Sequence, residues 1–327
     1  MRIDQLVTPA VLVDAEALEA NLDAMSEALP GSRLRPHVKA HKCTELARLQ
    51  AARGHTGFTC ATLREVEGMA AAGLGADLLL ANEVLDARRL GALDARVTLA
   101  VDSLPTVDAA AAGGVREVLI DVNVGLPRCG CAPERAGELA DHARSRGLEV
   151  RGVMGYEGHL MLQADRAVRE RGVSESMQRL AAAHTDVGGP VISAGGTGTY
   201  ALNRVATEIQ AGSYALMDTA YAALELPFRP ALEILSRVLS VSADYAVADC
   251  GLKALGMDHG NPRVEGAAVW FCSDEHLTFA PEASVAVGDW IRVQPAHIDP
   301  TLAYHERLHL VSGDQVLESW PIDLRGW

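Results

Sequence analysis

The chain has 327 residues, 49% of them hydrophobic, with 43 acidic against 29 basic side chains and a formal net charge of −14. That length can bury one large core and a smaller one, and the acidic balance argues against nucleic acid or an anionic membrane surface as a partner. The six cysteines (Cys43, Cys60, Cys129, Cys131, Cys250, Cys272) form no dense framework and read as reduced thiols rather than a disulfide scaffold.

The first predicted elements are a strand at 10–13 and a helix at 15–29, with Asp14 as its N-cap. No run is long and apolar enough to span a bilayer, and Met1-Arg2-Ile3-Asp4-Gln5 lacks a signal-peptide core, so the expected location is the cytoplasm. Strand-like runs follow at 34–38, 58–61, 77–81, 97–101, 117–122, 150–154, 191–194 and 208–210. Between them lie Ala/Leu/Glu/Arg-rich stretches such as 62–72, 134–146 and 174–184, which read as helices. Strand and helix alternating at this spacing imply parallel pairing through crossover helices. Eight units are the number a closed (β/α)8 barrel needs, with an open doubly wound sheet as the alternative. After about residue 232 short strand-like runs dominate, at 235–241, 265–271, 277–279, 289–293, 308–311 and 316–320, which predicts an antiparallel β domain. The expected division is a barrel over 1–232, its N-terminal strand joining the β domain, and the C-terminal β domain over 233–327.

Two glycine-bearing loops follow the last two barrel strands, Ser193-Ala194-Gly195-Gly196-Thr197-Gly198-Thr199-Tyr200 and Ala211-Gly212-Ser213-Tyr214. Glycine lets backbone N–H groups approach an anion, hydroxyls add donors, and barrels often hold phosphate at this place. Lys39, in Arg35-Pro36-His37-Val38-Lys39-Ala40-His41-Lys42, is expected at the C-terminal end of the first barrel strand. A lysine that condenses with an aldehyde must lose its proton, which nearby cations favour; Arg35, His37, His41 and Lys42 are the candidates. A phosphate grip with an amine at a barrel mouth suits pyridoxal 5'-phosphate.

His297 and Asp299, within Pro295-Ala296-His297-Ile298-Asp299-Pro300-Thr301, are expected in an extended segment, where residues two apart share a face. Imidazole with carboxylate suits Zn²⁺ or Mn²⁺, and less clearly Mg²⁺, while leaving positions for water and substrate. His159 reads either as a proton-transfer group or as a loop hydrogen-bonder, and His55, His142, His184 and His276 read as surface groups.

Taken in chain order, several segments together resemble the fold-type III pyridoxal-phosphate enzymes, in their D-threonine aldolase/D-serine dehydratase branch. They are Thr8-Pro9-Ala10-Val11-Leu12-Val13-Asp14, the Lys39 segment, Asn123-Val124-Gly125-Leu126-Pro127-Arg128-Cys129-Gly130, Gly155-Tyr156-Glu157-Gly158-His159, the two glycine loops, Asp249-Cys250-Gly251-Leu252-Lys253-Ala254-Leu255 and the His297/Asp299 pair. The resemblance implies an alanine racemase N-terminal type barrel, a C-terminal β domain and a homodimer. It makes Lys39 the Schiff-base lysine and gives Gly195, Gly196, Thr197, Gly212, Ser213 and Tyr214 the phosphate, with Thr199 and Tyr200 in the same cofactor-binding loop. It puts Arg128 near the cofactor's phenolic oxygen, Tyr156 beneath the ring, His159 near the reacting group, and a divalent metal (Mn²⁺, Mg²⁺ or Zn²⁺) on His297 and Asp299. Pro127, Cys250 and Leu252 depart from the residues more usual there.

In this branch the dehydratases resemble His-x-Cys at the metal pair and the aldolases His-x-Asp. Asp299 therefore favours an aldolase cleaving a small-molecule D-β-hydroxy-α-amino acid to glycine and an aldehyde. The alternatives are a D-serine or D-threonine dehydratase giving a 2-oxo acid and ammonia, a D-3-hydroxyaspartate aldolase, and a non-catalytic pyridoxal-phosphate-binding protein. A racemase is less attractive, since it needs no metal.

Overall fold

The computed structural model describes all 327 residues, in two compact units. One comprises Met1–Ala24, Ala40–Cys43 and Ser213–Arg325; the other comprises Met25–Lys39, Thr44–Gly212 and Gly326–Trp327. Strand β1 (Ala10–Asp14) belongs to the first of these.

The second unit is built on seven parallel strands in sequence order: β2 (Gly57–Cys60), β3 (Asp77–Leu80), β4 (Val97–Val101), β5 (Glu117–Asp121), β6 (Glu149–Gly155), β7 (Val191–Ala194) and β8 (Glu208–Ile209). The strand expected at 34–38 is an irregular seam rather than a regular strand, because Pro36 has no N–H for a ladder. The Arg35 N–H donates to Ile209 O at 2.9 Å and the His37 N–H to Ala211 O at 3.1 Å, while Pro36 O accepts from Thr59 N at 2.9 Å. With parallel bridges from Leu34 to Ile209 and from His37 to Thr59, this seam joins β8 to β2 and closes the sheet. The closed-barrel expectation holds and the open-sheet alternative falls.

Crossover helices include Leu63–Ala71, Leu104–Ala112, Ala136–Ser145 and Arg166–Val187. The last begins well before the expected 174, because Asp165 caps it by accepting from Val168 N at 3.0 Å. Gly188, at φ +70°, ends it.

Side chains two apart on a strand share a face, and here that face is layered. At the N-terminal ends of the strands lies a partly buried ionic layer. Arg35 pairs with Asp77 at 2.6 Å and with Glu208 at 2.8 Å. Arg151 pairs with Asp77 at 2.9 Å and Glu117 at 3.4 Å, and donates to the Thr98 hydroxyl at 2.7 Å. Two residues further along, Leu79, Ala100 and Leu119 join Met154 and Val191 in an apolar cluster. Arg151 and Met154, three apart, share the face because β6 bulges at Gly152, which sits at φ +143°. A Cβ on Gly152 would lie 1.9 Å from Val191 O, so only glycine fits.

The first unit carries a nine-stranded sheet: β9 (Leu232–Val241), β10 (Ala246–Ala248), β11 (Arg263–Val264), β12 (Ala267–Cys272), β13 (Leu277–Pro281), β14 (Trp290–Gln294), β15 (Arg307–Ser312) and β16 (Gln315–Pro321), together with β1. The order is β10-β13-β12-β11-β14-β9-β1-β15-β16, and β10 also pairs with β9, so six antiparallel strands close on themselves. Strand β1 lies antiparallel to β9 and parallel to β15, with Val11, Leu12 and Val13 buried. The helix Ala15–Ala28 starts as expected on Asp14, whose carboxylate accepts from Ala17 N at 2.7 Å.

Candidate active site

In a parallel barrel every loop leaving the C-terminal ends of the strands lies on one rim. Lys39 sits there, half-buried in the 3-10 turn Val38–Ala40 that follows the seam, its N–H 3.5 Å from His37 Nδ1. Arg35 is not the cationic neighbour expected of it. Alternation along the seam commits its guanidinium to Asp77 and Glu208 in the ionic layer at the far end of the strands.

Next to this seam come the loops after β7 and β8, the neighbouring strands in the closed sheet. The Ser193–Tyr200 loop is held by Glu157, which is 0% exposed. The Thr199 hydroxyl donates to Glu157 Oε1 at 2.8 Å, Gly195 N–H donates to Oε2 at 3.2 Å, and Gly196 N–H donates to Thr199 Oγ1 at 3.3 Å. Burial pushes the Glu157 carboxyl above its usual range, against the pull of these donors. Thr199 thus shapes the loop through a hydroxyl committed to Glu157, rather than offering that hydroxyl to an anion. Gly198 is required for close packing, since a Cβ there would lie 2.0 Å from Met161 O. Thr197 is buried and Tyr200 half-buried in the same loop. Gly212 ends the loop after β8.

The loops after β5 and β6 bring Arg128, Tyr156 and His159 together. Arg128 is exposed, with its guanidinium 5.3 Å from the centroid of the half-buried Tyr156 ring. His159, also exposed, lies on the 3-10 turn Gly158–Leu160 against Gly125, where a Cβ would be 2.9 Å from its Cε1. An amine, two glycine-bearing turns and an arginine over a tyrosine on one rim fit the aldehyde, phosphate and ring of pyridoxal phosphate.

Ser213 and Tyr214 open the 3-10 turn Ser213–Ala215 and belong to the other unit. Tyr214 is 1% exposed, with its ring 5.7 Å from that of Phe228.

His297 and Asp299 do not lie in an extended segment. His297 is the N-cap of the helix Ile298–Tyr304, and Asp299 is in its first turn. The same-face argument for a strand therefore does not apply; the cap geometry brings His297 Nε2 to 3.9 Å from Asp299 Oδ1. Two metal–ligand bonds of about 2.0–2.2 Å span such a gap, and a nitrogen–oxygen donor pair suits Mn²⁺ or Zn²⁺. Beneath the pair, buried Asp218 accepts from Ile298 N at 3.2 Å and Tyr221 N at 2.9 Å, and burial pushes its carboxyl up to about 6. Asp258 Oδ2 stands 2.8 Å from His297 Nδ1. The His259 ring stacks on that of His297, with centroids 4.0 Å apart and planes inclined by 10°.

Glu157, Asp218, Asp258 and His259 are site residues that sequence reasoning missed. Glu157 sits inside a segment already singled out, and Asp258-His259-Gly260 is a turn pattern; nothing in the sequence marks Asp218. Among the histidines expected at the surface, His55 is buried, with Ser26 Oγ at 2.8 Å and Gly31 O at 2.9 Å.

Comparison with known proteins adds to this geometry. Residues 13–220 match the family model described as alanine racemase, N-terminal domain, and residues 231–311 match one described as putative serine dehydratase domain. The chain is 33% identical to a D-threonine aldolase of an Arthrobacter species, over 98% of this chain and 93% of that protein. It is 31% identical to a 3-hydroxy-D-aspartate aldolase of Paracoccus denitrificans, over the same 98% and 93%. The crystal structure of D-threonine aldolase from Filomicrobium marinum is similar with a TM-score of 0.93 at 31% identity, covering 98% of this chain and 96% of that one.

Proposed function

Since this chain belongs to the alanine racemase N-terminal domain family, carrying a serine dehydratase type domain behind it, we propose that it is a pyridoxal-phosphate-dependent lyase of the D-threonine aldolase type. Its substrate is a D-β-hydroxy-α-amino acid, its products glycine and an aldehyde, and its second cofactor a divalent cation, Mn²⁺, Mg²⁺ or Zn²⁺. The observation that carries the reading is the histidine–carboxylate pair at 3.9 Å in a chain whose barrel rim also presents Lys39. We further assign it to the cytoplasm and to a homodimer, with the cofactor barrel over 1–232, its N-terminal strand joining the β domain, and the metal pair in that domain over 233–327.

When bound, pyridoxal phosphate supplies an electron sink and the cation a Lewis acid. Lys39 provides the amine that attaches the cofactor's aldehyde. The backbone of the Gly195–Thr197 and Gly212–Tyr214 turns holds the phosphate. Arg128 serves the phenolic oxygen and Tyr156 supports the ring. His297 and Asp299 hold the cation. Overall, the β-hydroxyl loses a proton, the Cα–Cβ bond breaks, and Cα gains a proton. His159, exposed on the rim, is the chain's own group for moving that hydroxyl proton.

D-threonine supplied to the purified protein, with EDTA or with added Mn²⁺, gives the test. Acetaldehyde and glycine formed only with the cation are the expected result. Formation of 2-oxobutyrate and ammonia would move the assignment to a dehydratase. Glycine from D-3-hydroxyaspartate but none from D-threonine would move it to the hydroxyaspartate aldolase. A cofactor absorbance band with no product from either would favour the non-catalytic reading.

A further inference from the structure

We propose that Asp258 is a positioning residue for the cation centre, holding the His297 imidazole in the tautomer and orientation that present Nε2 toward Asp299. The inference rests on the reading of His297 and Asp299 as the cation's ligands. An ionised carboxylate can only accept a hydrogen bond, so the 2.8 Å contact puts an N–H on His297 Nδ1. In the neutral ring Nε2 then carries the lone pair, on the side of the ring that faces Asp299 Oδ1 at 3.9 Å. Metal-ligating histidines commonly donate their other ring N–H to a carboxylate in this way.

The local chain is built to deliver Asp258. Gly256 forms an isolated antiparallel bridge with His297. Its N–H donates to Thr301 Oγ1 at 2.9 Å, and Thr301 Oγ1 donates to His297 O at 2.6 Å. A Cβ on Gly256 would lie 2.3 Å from Pro300 Cγ, so the approach demands glycine. Gly260 N–H closes the turn on Met257 O at 3.2 Å, leaving Asp258 and His259 at its tip.

His259 supplies the second restraint. Asp258, His259 and His297 each offer a ligand atom within 4.8 Å of the others, the spacing a three-ligand set needs. The stacking speaks against it: ring-nitrogen lone pairs lie in the ring planes, and planes inclined by 10° at a 4.0 Å centroid separation do not converge on one ion. His259 therefore acts as a wall against which the His297 ring is held flat, while the Asp258 hydrogen bond fixes its rotation.

The experiment is Mn²⁺ titration of the chelator-treated, pyridoxal-phosphate-loaded protein, paired with ¹⁵N NMR of the histidine rings before metal is added. Wild type is expected to bind Mn²⁺ saturably and His297→Ala to lose that binding; failure of either sinks the cation reading itself. With that reading intact, Asp258→Ala is expected to weaken Mn²⁺ about 10- to 100-fold. Asp258→Asn, whose amide oxygen still accepts, should recover much of the loss. His259→Phe, which keeps a ring in the stack, should bind as wild type. Affinity for Asp258→Ala within about 2-fold of wild type would overturn the proposal. So would a loss in His259→Phe as complete as in His297→Ala, because it would make His259 a ligand. The wild-type NMR reading is independent of whether any variant folds: Nδ1–H on His297 is expected, and Nε2–H overturns the assignment.

Discussion

A single buried carboxylate organises the glycine-rich 193–200 loop. Glu157 accepts from Thr199 and Gly195, so removing it strands two buried donors, at a cost of about 1–3 kcal/mol each. Glu157→Ala is therefore expected to loosen the 193–200 loop, speed cofactor loss on dialysis and lower the unfolding midpoint, all read from cofactor absorbance and thermal denaturation. Lys39, the glycines and the His297/Asp299 pair can be nominated from the sequence because the chemistry proposed for them is carried by residue type and order. Glu157 and Asp258 are not, because their roles depend on burial and on a partner elsewhere in the chain: Glu157 is 38 residues from Gly195, and Asp258 is 39 from His297. The same blindness to burial put His55 at the surface.

At the scale of elements, alternation reveals strands and helices where they are regular and misleads where they are not. Seven barrel strands follow the expected runs closely, whereas 34–38 proves a proline-interrupted seam. The segment around His297 reads as extended because prolines flank it, yet a proline is well tolerated in the first turn of a helix, and Pro300 occupies that turn of Ile298–Tyr304. The seam also carries a buried cation committed to two carboxylates. Arg35 is 4% exposed and spans β3 and β8 through Asp77 and Glu208. Arg35→Met leaves charged partners with less compensation and is expected to destabilise by about 3–5 kcal/mol, measured by urea denaturation. Arg35 and Lys39 share an eight-residue stretch of basic character in the sequence, and only the fold shows that one closes the base of the barrel while the other stands on its rim.

At the scale of the whole molecule, the ionic layer ties stability to pH. Burial works against the charge on Asp77, but Arg35 and Arg151 outweigh it and hold the carboxyl below its usual range. A depressed folded value contributes stability that is complete above the ordinary value of about 3.9 and is lost as pH falls through the folded one. Asp77→Asn is expected to destabilise the protein at neutral pH and to flatten the acid limb of its stability profile below about pH 4, as followed by circular dichroism. The run of strands from Leu232 onward was legible from the change of periodicity there. The closure of six antiparallel strands was not, because the register between short strands leaves little trace in composition.

Strand β1 carries a consequence for biosynthesis. Its partners β9 and β15 begin at Leu232 and Arg307, so the apolar triplet Val11-Leu12-Val13 finds both flanks only after residues 232–241 and 307–312 have left the ribosome. Until those strands emerge, that triplet lacks its sheet neighbours. A message truncated before the codons for β15 would release a polypeptide with the barrel strands complete and that early strand still lacking one of its neighbours.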